Sequence, residues 1–217
     1  MMDVVFEDDD LIVVDKPAGL LTIATDKRST RTAYHLLNEY VGRGGAKSRK
    51  KVHIVHRLDQ ATSGVLVFAT SREAKLALQR AWERTEKTYV AVAAGVVDRD
   101  QLTVTSYLAE NRAHNVYSTR NRSAGKLATT GLKVIARGRE ATLLEVDLVT
   151  GRKHQIRVHL ADLGHPVLGD RKYGCDDRQH KRLMLHAARI AFDHPVTGER
   201  LELSAPAPPV FERLVRA

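Results

Sequence analysis

The segment His56-Arg57-Leu58-Asp59-Gln60-Ala61-Thr62-Ser63-Gly64 lies between two apolar runs, residues 52–55 and 65–69, that are rich in β-branched side chains. Such runs are typical of strands that are buried on at least one face. The segment between them carries charged and hydroxyl side chains, and it is longer than the Asn-Gly or Asp-Gly turn of a plain hairpin. This part of the sequence therefore predicts two strands joined by a polar loop.

Three consecutive residues of this loop, Arg57, Leu58 and Asp59, alternate between charged and apolar. Successive side chains of an extended chain point to opposite faces, so Arg57 and Asp59 would share one face. We expect Leu58 to anchor the loop in the core while the two charged side chains face an open cleft. Taken alone, an Arg-x-Asp pair would also fit a surface loop that holds a weak ion pair.

The whole of segment 56–64 resembles the signature loop of the RluA-type pseudouridine synthases, His-Arg-Leu-Asp-x-x-Thr-Ser-Gly. The resemblance extends from about Val4 to the C-terminus. It includes a Lys-Pro-x-Gly turn at residues 16–19, a Lys-x-Tyr-x-Ala strand at 87–91, a Gly-Lys-x-Ala-x-Thr stretch at 125–130, and a long match over 150–160, 165–170 and 173–174. Matches of this length on a strand-loop-strand frame are far more specific than an isolated charged pair.

This resemblance implies an α+β fold with a long, mixed and mostly antiparallel sheet, flanking helices and a central active-site cleft. It also implies a single catalytic domain over residues 1–217 without an accessory RNA-binding domain. The periodicity of the sequence predicts helices over residues 32–41 and 72–83, and strands over 87–92 and 142–149. Residues 111–130 are polar and basic, and we expect a loop that either grips RNA or is disordered.

The implied reaction is the formation of pseudouridine, in which uracil leaves the ribose at nitrogen 1, turns, and rejoins it through carbon 5. It exchanges no electrons or groups, so no cofactor is expected. The resemblance implies that Asp59 is the catalytic carboxylate, which either attacks the base or removes a proton from the sugar. Arg157 would keep this carboxylate ionised and oriented. Tyr89 would lie on the base and remove the carbon 5 proton directly or through water, although a half-buried strand tyrosine is also common.

Five residues are expected to bind the RNA. The target uridine has to leave its stack, and the resemblance implies that Arg57 fills the vacated space. Arg152 and His154 belong to a cationic group at the predicted start of a helix, where phosphates or a carboxylate would be attracted. Lys50 and Lys51 end a basic, glycine-containing run that is either simply solvated or in contact with phosphates.

The composition agrees with a nucleic-acid partner. The 217 residues allow one sizeable core or two small ones, and the net charge of +9 favours a polyanion. We expect a monomer that acts on a stem-loop of ribosomal or transfer RNA. No apolar run could span a bilayer and the acidic N-terminus lacks a signal-peptide layout, so we expect a cytoplasmic protein without a membrane partner. The single Cys175 fits a reducing compartment and argues against a thiolate zinc site.

The ten histidines raise the question of a metal site. No His-Glu-x-x-His pattern is present, and His154 and His159 are five residues apart on a predicted helix, a spacing that does not suit a shared ion. We therefore expect no metal. Two other functions compete with catalysis of this kind: an RNA-binding module that has lost its activity, and a basic nucleic-acid hydrolase. The intact Asp59, Tyr89 and Arg157 disfavour the first, and the missing metal ligands or nucleophile–base pair disfavours the second.

Overall fold

The computed structural model of the chain describes residues 2–24, 31–42, 51–174 and 180–216. Lys50 and Cys175 lie outside the described residues. The described residues form eleven strands, four α-helices and one 3-10 helix. They are β1 (Asp3–Glu7), β2 (Leu11–Lys16), α1 (Ala33–Gly42), β3 (His53–Ile54), β4 (Ser63–Ala69), α2 (Arg72–Ala81), the 3-10 helix Trp82–Arg84, β5 (Glu86–Ala94), β6 (Gln101–Glu110), β7 (Val116–Thr119), β8 (Lys126–Arg137), β9 (Ala141–Leu148), α3 (Gln155–Asp162), β10 (Leu185–Asp193), β11 (Arg200–Ser204) and α4 (Val210–Arg216).

The chain divides into two compact units. The first comprises Met1–Thr85 and Ala187–Pro206, and the second comprises Glu86–His186 and Ala207–Ala217. Every strand pair with a determined register is antiparallel. The expected α+β class and mostly antiparallel sheet are therefore confirmed, and the single catalytic domain stays a prediction. Among the described helices, none has the length and apolarity that crossing a membrane requires.

In the first unit the strand order is β1-β2-β4-β10-β11, and β3 also pairs with β4. Strand β4 is buried along its whole length. The aliphatic side chains of β2, β4 and β10 pack with α2 in one core that includes Leu11, Val67, Leu78, Ile190 and Phe192. Helix α2 begins where Ser71 Oγ accepts a hydrogen bond from Ala74 N, and helix α1 begins where Thr32 Oγ1 accepts one from His35 N.

In the second unit the strand order is β5-β9-β8-β6-β7. One face of the β6–β8 end packs on α3, where Leu108, Val116 and Ala128 form a cluster with Val158. Helix α3 ends at Asp162, and Gly164 follows with a φ of +81°. This glycine allows the helix to end here, because glycine adopts the left-handed conformation without steric cost.

Two expectations about this unit were wrong. The region 111–130 is not one loop, because β7 and the first part of β8 lie within it. Its strands carry few aliphatic residues among threonine, serine and tyrosine, so an apolar-periodicity criterion does not detect them. Arg152 and His154 also do not open a helix: α3 begins at Gln155, and His154 precedes it in the left-handed conformation with a φ of 54°.

Candidate active site

The loop that carries Asp59 has the alternation that the sequence predicts. Leu58 is buried with 7% of its surface exposed, whereas Asp59 is half-buried and Arg57 is exposed. Leu58 thus anchors the loop while both charged residues retain access to solvent. The structure shows this arrangement within the first unit.

Lys16 supports this loop through hydrogen bonds from its buried ammonium group. Its side chain is completely buried, and its ammonium group donates hydrogen bonds to the carbonyls of Pro17 at 3.0 Å, Leu20 at 2.7 Å and Gln60 at 3.2 Å. A buried ammonium is costly unless acceptors surround it, and these three carbonyls supply that environment. The Lys-Pro-x-Gly turn is therefore tied to the residue that follows Asp59.

Two reciprocal pairs of hydrogen bonds hold the loop on both sides of Asp59. On one side, Thr22 Oγ1 donates to Leu58 O at 3.0 Å and accepts from Leu58 N at 3.2 Å. On the other side, Gly19 N donates to Gln60 O at 2.8 Å, and Gln60 Nε2 donates to Gly19 O at 3.1 Å. Asp59 is the residue between these two fixed points, so its backbone is positioned by chain far away in sequence.

Gly64 brings the loop back into β4 through a conformation that other residues avoid. Its φ is +114°, and a Cβ built on it would lie 2.2 Å from the carbonyl oxygen of Ala187 in β10. Neither the backbone angle nor the space permits a side chain here. The glycine of the signature loop is thus explained by the close approach of a neighbouring strand.

His56 has a structural role in the same loop. Its Nε2 accepts a hydrogen bond from the backbone N–H of Val67 in β4 at 3.1 Å, and its ring lies 4.6 Å from the Trp82 ring. Strand β3 pairs with β4 only through His53 and Ile54. The His56 ring therefore supplies the hydrogen-bond acceptor for Val67 N at a point where β3 no longer offers a backbone carbonyl.

The second motif is organised by Gln155, which is 2% exposed. Its side-chain oxygen accepts from the Thr150 hydroxyl at 2.7 Å and from Arg152 N at 3.0 Å, and its amide nitrogen donates to Thr129 O and Thr130 Oγ1, both at 2.9 Å. These four bonds close the turn between β9 and α3. They explain why the helix begins at Gln155, so that Arg152 and His154 lie outside it.

Arg157, on the first turn of α3, is bound by Asp170. Its Nε lies 2.7 Å from Asp170 Oδ2, and its Nη2 lies 2.8 Å from Oδ1. The side chains are 10% and 0% exposed. Burial raises the pKa of the Asp170 carboxyl, but the hydrogen bonds and charge of Arg157, together with the N–H groups of Lys172 and Tyr173, outweigh burial and lower this pKa below its usual value.

Tyr173 lies against the same guanidinium. The carbon of the Arg157 guanidinium is 5.0 Å from the centre of the Tyr173 ring, a cation–π contact. The Tyr173 hydroxyl accepts from Val116 N at 3.2 Å and lies 2.6 Å from His154 Nδ1. Arg157 is thus oriented by a carboxylate at its edge and a ring on its face.

A chain of hydrogen bonds fixes the rest of α3 to the sheet. Gln155 Nε2 donates to Thr130 Oγ1, and this hydroxyl lies 2.9 Å from His159 Nδ1. His159 Nε2 lies 3.0 Å from Ser106 Oγ. Ser106 bonds to Ser118, which donates to Asp162. A single donor direction satisfies every member, provided that His159 is neutral with its proton on Nε2.

The electrostatics of His159 agree with this neutral form. Its side chain is completely buried, and burial lowers its pKa below the usual histidine value although the charge of Asp162 opposes the shift. Both ring nitrogens of His159 are hydrogen-bonded to hydroxyl groups. Its observed role is to join α3 to β6 and β8.

The remaining predicted residues are placed as follows. Tyr89 is buried with 9% exposure and lies opposite Val146 of β9. Arg152 is exposed and its Nε donates to Leu127 O at 3.1 Å, and Lys51 is also exposed. Asp59 belongs to the first unit, and Tyr89 and Arg157 belong to the second. The expected pairing of Asp59 with Arg157 stays a prediction.

Asp170 and Tyr173, the partners of Arg157, were not predicted from the sequence. Both residues lie in the segments 165–170 and 173–174 that resemble the family, but no feature of the neighbouring sequence indicates that they contact an arginine. The available signal was chemical: an arginine within an apolar helix requires a carboxylate partner, and Asp170 follows Gly169 shortly after that helix.

Among the described residues, Asp8, Asp10 and His194 are close enough together to hold a metal ion. The Asp8 and His194 side chains already bond each other and the backbone. Asp8 Oδ1 accepts from the N–H groups of Asp10 and Leu11, Asp8 Oδ2 lies 3.0 Å from His194 Nε2, and His194 Nδ1 accepts from the N–H of Thr197 at 3.0 Å. These bonds join two turns of the first unit, and the expectation of no metal stays a prediction.

Comparisons with known proteins give one consistent result. Residues 10–162 match a family model described as RNA pseudouridylate synthase. An uncharacterised RNA pseudouridine synthase of Bacillus subtilis is 38% identical over 99% of this chain and 72% of its own length. The ribosomal large subunit pseudouridine synthase D of Pasteurella multocida is 34% identical over 100% of this chain and 70% of its own length. The structure of human RNA pseudouridylate synthase domain containing 1 has a TM-score of 0.80 at 26% identity, over 96% of this chain and 84% of that one.

Proposed function

The chain belongs to the RNA pseudouridylate synthase family, of the RluA type, and on this premise we propose that Asp59 is the carboxylate with which it isomerises uridine in RNA. The activity itself, an RNA pseudouridine synthase and hence an isomerase, follows from the family. The proposal concerns the residues that carry the chemistry and the RNA on which they act.

The observation that supports Asp59 is the way its loop is held. The reaction needs an ionised carboxylate that is positioned and accessible to a nucleoside. Asp59 is half-buried between Leu58 and Gln60, and both neighbours are fixed by hydrogen bonds to the segment that contains Lys16 and Thr22. Such bracing is typical of a catalytic side chain whose geometry must not vary.

We assign Arg157 as the cation of the site and Tyr89 as the group that accepts the carbon 5 proton. The Arg157 guanidinium is oriented by Asp170 and Tyr173, which supports a role that depends on direction as well as charge. A positive charge near a carboxylate favours its ionised form. The role of Tyr89 as proton acceptor is supported by the family pattern and by its buried position on β5.

The substrate is RNA, and we propose a stem-loop of ribosomal or transfer RNA as the target. Similar proteins include enzymes named for the large ribosomal subunit, which favours ribosomal RNA first. Exposed Arg57, beside Asp59, would occupy the stack that the target uridine leaves. Exposed Lys51 and Arg152 would contact phosphates, together with Lys50. The expected monomer and cytoplasmic location also remain proposals.

The test measures tritium released from RNA that carries the label on carbon 5 of uracil. We expect release with the wild type, loss of release with Asp59→Asn, and normal release with Asp98→Asn, a matched substitution at an exposed carboxylate. Release by Asp59→Asn at the wild-type rate would refute the assignment. An inactive wild type that still binds RNA would indicate a binding module. Sequencing of the treated RNA would then identify the modified position.

A further inference from the structure

Strands β6, β7 and β8 carry two tyrosines on the face that is turned away from α3, which we call the outward face. Tyr107 is paired with Leu127 of β8 and with Thr119 of β7, and Ala109 is paired with Tyr117. Because side chains alternate along a strand, these residues share one face, with the two tyrosines on neighbouring strands at diagonal positions. Tyr117 and Leu127 are each 46% exposed. The opposite face of the same strands is the one that packs on α3.

The charges at the β7 end of this face are positive, whereas Glu145 and Asp147 of β9 lie opposite Lys133 and Gly131 at its other edge. The Arg122 guanidinium carbon lies 5.9 Å from the centre of the Tyr107 ring, and Arg120 is exposed directly after β7. The outward positions of the three strands, as far as described, hold no carboxylate. In the part of the face where β6 pairs with its two neighbours they are Gln101, Thr103, Thr105, Tyr107, Ala109, Tyr117, Thr119, Leu127, Thr129, Gly131 and Lys133, and Ile135 follows on β8.

The chemistry of this face selects its partner. A surface that docks an apolar protein segment would carry a continuous aliphatic patch. Here the residues next to the two tyrosines and Leu127 on the same face include Thr105, Thr119 and Thr129, whose hydroxyl groups interrupt the apolar surface. Aromatic rings on neighbouring strands, with cations beside them and hydroxyl groups between, suit bases that stack on the rings while phosphates meet the cations. The Arg122 guanidinium adds a planar cation that can itself stack on a base.

We propose that this face, the β6–β8 platform of Tyr107, Tyr117, Arg122 and Leu127, binds a single-stranded segment of the RNA substrate. The inference rests on the proposed function only in taking RNA as the partner. Each tyrosine would hold a base by stacking, without sequence preference, because every base offers a π face. The platform would thus add affinity for unpaired RNA next to the structured target.

The test uses a fluorescent oligocytidylate of about twelve nucleotides, a length that fits the several nucleotides such surfaces hold. It contains no uridine, so binding is measured apart from turnover, and failure of the catalytic assignment would not affect the result. We expect Tyr117→Ala to weaken binding by roughly fivefold to a hundredfold, the range for loss of one stacked base. Tyr117→Phe keeps the ring and should bind as the wild type does.

Tyr40→Ala is the matched control, because Tyr40 is 40% exposed and lies on α1 of the first unit. Its affinity for the oligonucleotide should be unchanged. Equal affinity of Tyr117→Ala and the wild type would overturn the proposal, as would a Tyr117→Phe variant as weak as Tyr117→Ala. With the full RNA substrate, we expect Tyr117→Ala to raise KM and leave kcat unchanged, and a lowered kcat at unchanged KM would also count against the platform.

Discussion

The Arg157 guanidinium and the Asp170 carboxylate form two parallel hydrogen bonds, Nε to Oδ2 at 2.7 Å and Nη2 to Oδ1 at 2.8 Å. This bidentate geometry fixes the plane of the guanidinium as well as its position. Both side chains are nearly or wholly removed from solvent, so neither charge tolerates loss of the other. The direction in which Arg157 presents its charge is therefore decided by a residue outside its own helix.

The first prediction concerns this pair. In the Asp170→Asn variant Arg157 loses its counter-charge and its fixed orientation, so we expect kcat to fall by about a hundredfold, the effect of a displacement near 1 Å. Breaking a buried pair should also lower the free energy of unfolding by about 3–5 kcal/mol. Tritium release and denaturant unfolding measure the two effects. The exposed pair Arg137–Asp100 is the control, and Asp100→Asn should change neither quantity appreciably.

The second prediction is a dependence of stability on pH through His159. Its pKa is lower in the folded protein than in the unfolded chain, so the unfolded chain binds the proton first as the pH falls. The free energy of unfolding should therefore decrease as the pH falls below about 6.5, the ordinary histidine value, towards the folded-state pKa. Denaturant unfolding between pH 7 and 5 should show a smaller slope for His159→Gln than for the wild type. Equal slopes would show that the neutral ring contributes nothing.

The third prediction concerns the support of the Asp59 loop by Lys16. Lys16→Met keeps the length of the side chain but leaves the carbonyls of Pro17, Leu20 and Gln60 without their buried donor. We expect the free energy of unfolding to fall by about 1.5–3 kcal/mol and kcat to fall with it, since the loop is no longer fixed. The exposed Lys181→Met variant is the control. A Lys16→Met protein with normal turnover would exclude the bracing role.

The fourth prediction tests the close approach at Gly64. Gly64→Ala requires a left-handed residue with a Cβ and places that atom 2.2 Å from Ala187 O. We expect a loss of more than about 3 kcal/mol in the free energy of unfolding, from the conformation and the clash together. Gly42→Ala should have almost no effect, because no atom of the described residues lies within 4 Å of its Cβ position. Thermal unfolding of the two variants compares them directly.

The fifth prediction separates binding from the last chemical step. Tyr89→Phe removes one hydroxyl from a buried ring, so the fold and RNA binding should be retained. If Tyr89 accepts the carbon 5 proton, tritium release should fall by about a hundredfold or more. Gel-shift binding and tritium release are measured on the same RNA. Normal release would remove Tyr89 from the mechanism, and Tyr34→Phe, at a half-buried tyrosine of α1, is the control.

The sequence alone determined the elements with a clear apolar period and the segments that resemble a known family. The strands around residues 56–64, helix α2 and the alternation of Arg57, Leu58 and Asp59 were predictable because each depends on a few neighbouring residues. Strand β7 was not predictable in this way, because Val116 is its only aliphatic residue and its pairing with β6 is what makes it a strand.

Only the tertiary structure decided which groups support the site. Gln60 accepts a hydrogen bond from Lys16, 44 residues away, and Arg157 is bound by Asp170 beyond the end of its own helix. Sequence pattern specifies which face of an element is apolar, but the partner of a buried polar group is specified by where the folded chain brings donors and acceptors together. Burial makes such partners obligatory, and the three-dimensional path of the backbone selects which residues they are.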